Sequence, residues 1–141
     1  LWSTSPALAK ASDWQAAVQE ASVQKIGLAS PKTAPYGAAA MAAMDQTGVL
    51  PAVESNLVFG KNVGQAFEYA WSGATDASFV ALSQALSEKG VTGRYWLVSE
   101  AALITQNACV LSGAGDLALA FFDFVLGDAA AREIINLYGY K

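Results

Sequence analysis

Two loop-to-helix junctions contain the residues of this sequence that are best suited to binding an anion. The first junction, residues 30–37, follows the short apolar stretch 25–29 and leads into an Ala-rich helix that opens near Tyr36. The second junction, residues 60–64, follows the apolar stretch 56–59. The first N–H groups of a helix lack intrahelical partners and lie at the positive end of the helix dipole, so both junctions are candidate anion sites. A plain strand–turn–helix that binds nothing remains the alternative at both.

Individual residues within the junctions favour this chemistry. Pro35 suits the first turn of a helix, where its missing N–H costs nothing. Gly37 has no Cβ, so that either a ligand or a neighbouring backbone can approach closely. Asn62 is typical of a helix N-cap. Lys32 and Lys61 would attract an anion, although solvated loop lysines are the commoner case.

The sequence offers little support for catalysis or for a metal centre. It contains no histidine, which excludes Ser-His-Asp and Cys-His catalysis and His-ligated metals. Its single cysteine, Cys109, lies in an apolar run and is predicted to be a buried strand residue. The acidic residues are scattered, with no spacing typical of a metal site or an acid–base pair. Residues 113–118 lack the third glycine of a dinucleotide fingerprint, and Gly60-Lys61 lacks the rest of a phosphate-binding P-loop.

Length and composition indicate one globular domain, or two small lobes at most. The chain has 141 residues, of which 54% are apolar, and a net charge of −4. Because there is no basic cluster, nucleic acids and anionic membrane surfaces are not expected partners. No apolar run approaches the roughly 18 residues of a membrane span. The chain begins Leu1-Trp2-Ser3, without Met or a signal peptide, which indicates a processed chain or a fragment.

Short apolar stretches alternate with helical patterns along the chain. The predicted strands are residues 1–3, 25–29, 56–59, 77–81, 95–99 and 107–111. The predicted helices are residues 14–20, 36 to a stop at 48, 64–71, 83–88, 116–126 with Asp116 as its cap, and one beginning at 128, while 50–51 start a linker. This alternation predicts an α/β fold with a mainly parallel sheet, helices on both faces, and ligands at the carboxyl ends of the strands.

Several stretches together resemble the periplasmic molybdate-binding proteins of ABC transporters. The matching pieces, in the order and spacing of that family, are Leu1-Trp2-Ser3, KIGLASPKTAPYGAAAM, LVFGKNVGQAFEYAWSGATDASFVALSQ and AFFDFVLGDAAAREIINLYGY. These proteins are type II periplasmic binding proteins, in which two α/β lobes close on an oxyanion. The combination of PKTAPYG, GxNVxQA and FVALSQ is more specific than any one of these motifs alone.

The resemblance implies that neutral groups hold the oxyanion. In the family, two serines come from an N-terminal lobe, and the second lobe adds main-chain N–H groups and, in some members, a tyrosine hydroxyl. By motif position the N–H groups are those of Tyr36 and Val63, and the family's tyrosine falls at Ala81, which has no hydroxyl. The binding residues implied are therefore Pro35, Tyr36, Gly37, Asn62, Val63 and Ala81, with no catalytic residue, no cofactor and no side-chain metal ligand.

The resemblance also divides the chain. Residues 1–23 correspond to a hinge strand and connecting segment, 24–103 to the second α/β lobe, and 104–141 to a return segment that packs on the first lobe. The first lobe is expected to be missing, so the fold is incomplete relative to the two-lobe family. The apolar side chains of helix 116–126 would then be exposed, and a second copy, a swapped dimer or a separate partner fragment is expected to cover them.

The function implied is capture of molybdate, or of chemically similar tungstate, in the periplasm for delivery to an ABC permease. One alternative is the ligand-sensing domain of a transcription regulator, and another is a small-oxyanion binding protein of different specificity. An enzyme on this scaffold, such as a transferase, is disfavoured because the sequence shows no nucleophile–base pair.

Overall fold

A computed structural model describes residues 1–140 of the chain. They fall into two compact units, Leu1–Ile104 and a second unit that begins at Thr105. The strands of the first unit are β1 (Trp2–Ser3), β2 (Ile26–Ala29), β3 (Leu57–Gly60), β4 (Ala77–Ser78) and β5 (Arg94–Tyr95). Its helices are α1 (Trp14–Val18), α2 (Pro35–Gln46), α3 (Leu50–Val53), α4 (Val63–Trp71) and α5 (Leu82–Ala85), with short 3-10 turns at Pro6–Leu8, Glu54–Asn56 and Gly90–Thr92. The predicted α/β class is confirmed.

The five strands form one mixed sheet in the order β3-β2-β4-β1-β5. β2 runs parallel to both of its neighbours, with Ile26 opposite Leu57 on one side and opposite Ala77 on the other. β1 runs antiparallel to β4 and β5. The parallel arrangement that the sequence predicts is therefore found in β3, β2 and β4, whose carboxyl ends share one edge of the sheet.

Helices cover both faces of the sheet. On one face Ile26 and Leu28 are fully buried in a cluster with Trp14, Met44 and Val53, which belong to α1, α2 and α3. Because side chains of a strand alternate between faces, the neighbouring residues of β2 face the other side, where α4 packs.

The opposite face has a smaller core built around Trp2. Its ring lies 4.9 Å from that of Phe67, measured between centroids, and shares a cluster with Ala70 and Ala85. The Trp2 indole N–H donates to the carbonyl of Gly90 at 2.8 Å, so that this fully buried side chain keeps its hydrogen bond.

Local sequence signals at the helix ends agree with the structure. Three N-caps accept a backbone N–H through their side chains: Asp13 from Ala16 at 2.7 Å, Asn62 from Gln65 at 2.9 Å and Asp128 from Ala130 at 2.8 Å. Gly48 and Gly73 follow α2 and α4 with φ of 72° and 76°, a conformation that L side chains rarely adopt.

Some predicted boundaries are wrong. Residues 50–51 are not a linker but begin α3, because proline is accepted in a first helical turn and Val53 supplies a buried contact. β4 ends at Ser78 rather than at 81, since the chain turns into α5 after Phe79 donates to Gly27 at 2.8 Å. β5 covers Arg94–Tyr95 rather than 95–99, in register with the two residues of β1.

The second unit contains α6 (Asp116–Gly127) and α7 (Ala129–Leu137). Asp116 is the first helical residue of α6 and not its cap, which is Gly115. No residue of α6 is buried: Leu119, Phe121 and Phe124 are exposed as predicted, and Phe122 and Val125 are half-buried.

The predicted strand at 107–111 is absent. This stretch pairs with no strand among residues 1–140, and Cys109 is exposed instead of buried. Apolar composition alone does not produce a strand, because the ladder requires a partner. The predicted division at 1–23, 24–103 and 104–141 stays a prediction.

The Glu100 carboxylate accepts hydrogen bonds from α1, and these bonds lead to a first prediction. Glu100 accepts from the Trp14 indole at 2.9 Å and from the Gln15 amide at 3.0 Å, and the Trp14 hydrogen bond is the main reason why the pKa of Glu100 lies below its ordinary value of 4.5. A carboxyl group whose pKa is lower in the folded protein than in the unfolded chain stabilises the fold at pH values above its unfolded-state pKa. This contribution is lost as the pH falls through the folded-state pKa. Urea midpoints should therefore fall less between about pH 6 and pH 3 in Glu100→Gln than in the unsubstituted protein. Glu20→Gln, at an exposed position after α1, is the control, and an unchanged pH dependence in Glu100→Gln would contradict the prediction.

Candidate functional site

The predicted site residues follow strands that end at one edge of the sheet. Ala29 is paired with Gly60, and the N–H of Ser30 donates to the Gly60 carbonyl at 2.8 Å. The junctions that follow β2 and β3 are therefore neighbours in space. The chain leaves β4 at the same edge, and Ala81 follows it.

The first junction is a tight turn that ends in α2. The N–H of Ala34 donates to the Ser30 carbonyl at 2.9 Å. Ala34 has extended dihedral angles, as a residue before proline prefers, and Pro35 begins the helix. Tyr36 is half-buried at the second helical position, and the N–H of Gly37 donates to Ala34 at 3.0 Å.

Gly37 is required by the chain's own backbone. A Cβ at this position would lie 2.0 Å from the Ala29 carbonyl oxygen and 3.0 Å from the Pro31 nitrogen. The sequence predicts that either a ligand or a neighbouring backbone approaches Gly37 closely. In the structure it is the neighbouring backbone that does so. The missing side chain lets the first turn of α2 rest directly against the end of β2.

The second junction is held by a reciprocal pair of side-chain caps. The Asn62 Oδ1 accepts the Gln65 N–H at 2.9 Å, and the Gln65 Oε1 accepts the Lys61 N–H at 2.7 Å. The N–H groups of Val63 and Gly64 precede any intrahelical partner in α4. No acceptor within residues 1–140 receives a hydrogen bond from either group.

Gly64 differs from Gly37 in its surroundings. Within the described part of the chain, a Cβ at Gly64 would meet within 4 Å only the Asn62 Oδ1, at 3.2 Å. Open space therefore borders the start of α4, whereas backbone fills the corresponding space at the start of α2.

A glutamine links the second junction to the loop after β4. The Gln84 Oε1 accepts the Ala81 N–H at 3.0 Å, and the Gln84 Nε2 donates to the Val63 carbonyl at 3.3 Å. Ala81 is buried and has no polar side-chain group, and its N–H is engaged by Gln84.

The two junctions contain neutral donors and two exposed cations. Lys32 and Lys61 are exposed, and neither 30–37 nor 60–64 contains an arginine or a carboxylate. An anion at these junctions would therefore meet no repelling carboxylate within them, and the partial positive charge of the helix N-termini would attract it.

The sequence predicts the two junctions separately, and the structure brings them together through β2 and β3. Gln65 and Gln84 were not predicted. The pattern of Asn62 followed three residues later by Gln65 is close to a capping box and was a usable signal. No local signal points to Gln84, because its contact with Val63 spans 21 residues.

Comparison with known proteins assigns the class of this α/β chain. A model of bacterial extracellular solute-binding proteins matches residues 1–141. The chain belongs to this family, whose members bind solutes.

Two relatives are named molybdate-binding protein ModA. The chain is 41% identical to the one from Rhodobacter capsulatus, covering 99% of this chain and 55% of that protein. It is 35% identical to the one from Azotobacter vinelandii, covering 99% of this chain and 56% of that protein. The chain thus spans about half the length of the curated relatives it matches, and the predicted resemblance to molybdate-binding proteins is confirmed.

Solved structures agree on the fold. The Azotobacter vinelandii periplasmic molybdate-binding protein matches with a TM-score of 0.82 and 26% identity, over 99% of this chain and 62% of that chain. The substrate-binding domain of a putative molybdenum ABC transporter from Clostridium difficile matches with a TM-score of 0.57 and 20% identity, over 88% of this chain and 55% of that chain.

Neither a metal-binding cluster nor a membrane-spanning helix occurs among the described residues. Within residues 1–140, no group of three or more His, Cys, Asp and Glu side chains is arranged to hold a metal ion. In the same range no helix has the length and apolar character that crossing a membrane requires.

Proposed function

We propose that this chain binds molybdate, or chemically similar tungstate, and that the protein carries the oxyanion in the periplasm to an ABC-type permease. Binding is its whole activity: no bond is made or broken, and neither a catalytic residue nor a cofactor takes part. Membership in a solute-binding family and the 41% identity to a molybdate-binding protein support the proposal.

The observation that carries the proposal is the pair of adjacent junctions at one edge of the sheet. Their strands are paired at Ala29 and Gly60, so the two junctions leave the sheet side by side, and each leads into the N-terminus of a helix. A dianion taken out of water must replace its hydration with hydrogen bonds. Backbone N–H groups at helix starts supply such bonds, and the helix dipoles add favourable partial charge.

Each site residue has a role in this proposal. The N–H groups of Tyr36 and Val63 donate to the oxyanion. Pro35 and Gly37 shape the entry of α2, and Asn62 holds the start of α4 through its cap. Ala81 borders the site without a hydroxyl, so that it adds no donor where the resemblance implies a tyrosine in some members of the family.

Selectivity would follow from the size of the site and the number of donors. Sulfate has the same charge as molybdate in a smaller tetrahedron, so a shell of donors fixed at the longer distance would hold sulfate less well. Rigid backbone donors suit this task, because their positions are determined by the helices and strands that carry them.

A second prediction tests the main-chain donors. Val63→Pro removes one N–H at the first position of α4, where proline is favoured, and Asn62 already has the extended dihedral angles, φ −154° and ψ 174°, that precede proline. A hydrogen bond to a charged group contributes about 1.5–3 kcal/mol. Molybdate affinity of the full-length protein, measured by calorimetry, should therefore fall about tenfold to more than a hundredfold with little change in thermal stability.

Two variants serve as controls. Val63→Ala keeps the N–H and should bind nearly as well as the unsubstituted protein. Lys61→Ala removes only a long-range attraction and should weaken binding modestly, with an effect that shrinks at high salt. A Lys61→Ala loss larger than that of Val63→Pro would contradict recognition by neutral main-chain donors.

A further inference from the structure

We propose that Gln84 is a positioning residue of the oxyanion site, acting through the peptide that joins Val63 to Gly64. This inference rests on the proposed function and adds to it a residue that does not touch the anion. The carboxamide of Gln84 would fix this peptide and strengthen its N–H as a donor.

The geometry forms a chain of aligned amide groups. The N–H of Ala81 donates to the Gln84 Oε1 at 3.0 Å, and the Gln84 Nε2 donates to the Val63 carbonyl at 3.3 Å. That carbonyl belongs to the same peptide unit as the N–H of Gly64, at the second position of α4. The chain of amides therefore ends in the N–H of Gly64, which has no intrahelical partner and directly follows the proposed donor, the N–H of Val63.

Hydrogen bonds in such a chain reinforce one another. A donor at a carbonyl polarises the peptide and makes the N–H of the same peptide a stronger donor, with condensed-phase estimates of about 10–30% per bond. Gln84 and Val63 are half-buried and Ala81 is buried, so water competes only partly for these bonds. The chain uses neutral groups throughout and brings no carboxylate near the anion.

Gln84 also has a purely local role that the test must separate. It lies in α5 and accepts the N–H of Ala81, the residue that precedes this helix. A cap of α5 alone would need only the oxygen of Gln84. The bond from Nε2 to Val63 has no such role, since it reaches a different helix.

The experiment therefore uses two substitutions of Gln84 in the full-length protein. Gln84→Met removes both bonds without adding charge, and Gln84→Glu keeps an oxygen acceptor for Ala81 but loses the donor to Val63. Gln24→Glu is the matched control, because the Gln24 Nε2 also donates to a carbonyl, that of Ala21, at 3.3 Å and lies near the opposite end of β2. Molybdate affinity by calorimetry, melting temperature and backbone amide chemical shifts are measured for each variant.

We expect Gln84→Met to lose about tenfold in affinity and Gln24→Glu to stay within about twofold. Gln84→Glu should lose more than Gln84→Met at low salt, because its carboxylate also repels the anion, and about as much at high salt, where that repulsion is screened. Gln84→Glu should bind molybdate more weakly and yet keep a melting temperature near that of the unsubstituted protein. If the role of Gln84 were merely structural, weaker binding would be accompanied by a lower melting temperature. The Gly64 amide proton should shift upfield in both Gln84 variants, since its peptide is less polarised.

Affinity of Gln84→Met within twofold of the unsubstituted protein would overturn the inference and leave the proposed function intact. Absence of molybdate binding by the unsubstituted protein would overturn the proposed function, and with it any role of Gln84 in molybdate binding. The amide chemical shifts of Gly64 and Ala81, measured without ligand, then test whether Gln84 positions the peptide that joins Val63 to Gly64. Unchanged shifts in Gln84→Met would overturn this positioning as well.

Discussion

Replacing Gly37 by alanine is expected to destabilise the fold by about 3 kcal/mol, the upper end of the usual range for an overpacked site. The new Cβ would lie 2.0 Å from the Ala29 carbonyl oxygen, which is backbone of a buried strand and cannot rotate away as a side chain would. Relief requires α2 to move off β2, which loosens the cluster around Met44 and Leu28. The free energy of unfolding, measured by urea titration, is the direct readout.

Gly64→Ala is the matched control for this substitution. Its Cβ would meet only the Asn62 Oδ1, at 3.2 Å, among the described residues, and alanine is favoured over glycine within a helix by up to about 1 kcal/mol. We expect this variant to be as stable as the unsubstituted protein or slightly more stable. Similar losses at Gly37 and Gly64 would show that the contact with Ala29 is not what requires glycine.

The isolated 141-residue chain is expected to bind molybdate about a hundredfold to ten-thousandfold more weakly than the Azotobacter vinelandii molybdate-binding protein. The chain spans 56% of that relative, and the resemblance implies two serine donors from an N-terminal lobe. Losing two hydrogen bonds to a charged ligand costs about 3–6 kcal/mol, which corresponds to this range of affinity.

Parallel calorimetric titrations of the two proteins measure this difference. Light scattering on the same samples reports whether the exposed apolar side chains of α6, among them Leu117 and Phe121, cause self-association that would obscure the titration. Equal affinities in monodisperse samples would mean that the donors of this chain suffice by themselves.

Some features of the proposed site could be predicted from the sequence, and others could not. Asn62 was predicted as an N-cap from its type and position alone, because a cap depends on the residue and the next three N–H groups. Gln84 was not predicted, because its contact with Val63 exists only once α4 and the loop after β4 meet. Tyr36 and Val63 were assigned from the resemblance to a family, and their roles remain predictions.

The failures have a common physical cause. The apolar residues 107–111 resemble a strand in composition, yet they have no ladder partner among residues 1–140, and Cys109 is exposed. Backbone hydrogen bonds of a strand are made with another segment, so strand formation cannot be read from one segment alone. The same reason explains why β4 and β5 are shorter than predicted.

The sequence by itself determined local features of this protein: the N-cap at Asn62, the last helix beginning near residue 128, the stop of α2 at Gly48, and the alternation of apolar stretches with helices in an α/β chain. These depend on interactions over a few residues, which residue types specify directly. Only the tertiary structure decided the strand order, which sets the two loop-to-helix junctions side by side, and the reason for glycine at position 37. Both depend on contacts between segments far apart in the chain, since packing and strand pairing join residues that the sequence separates.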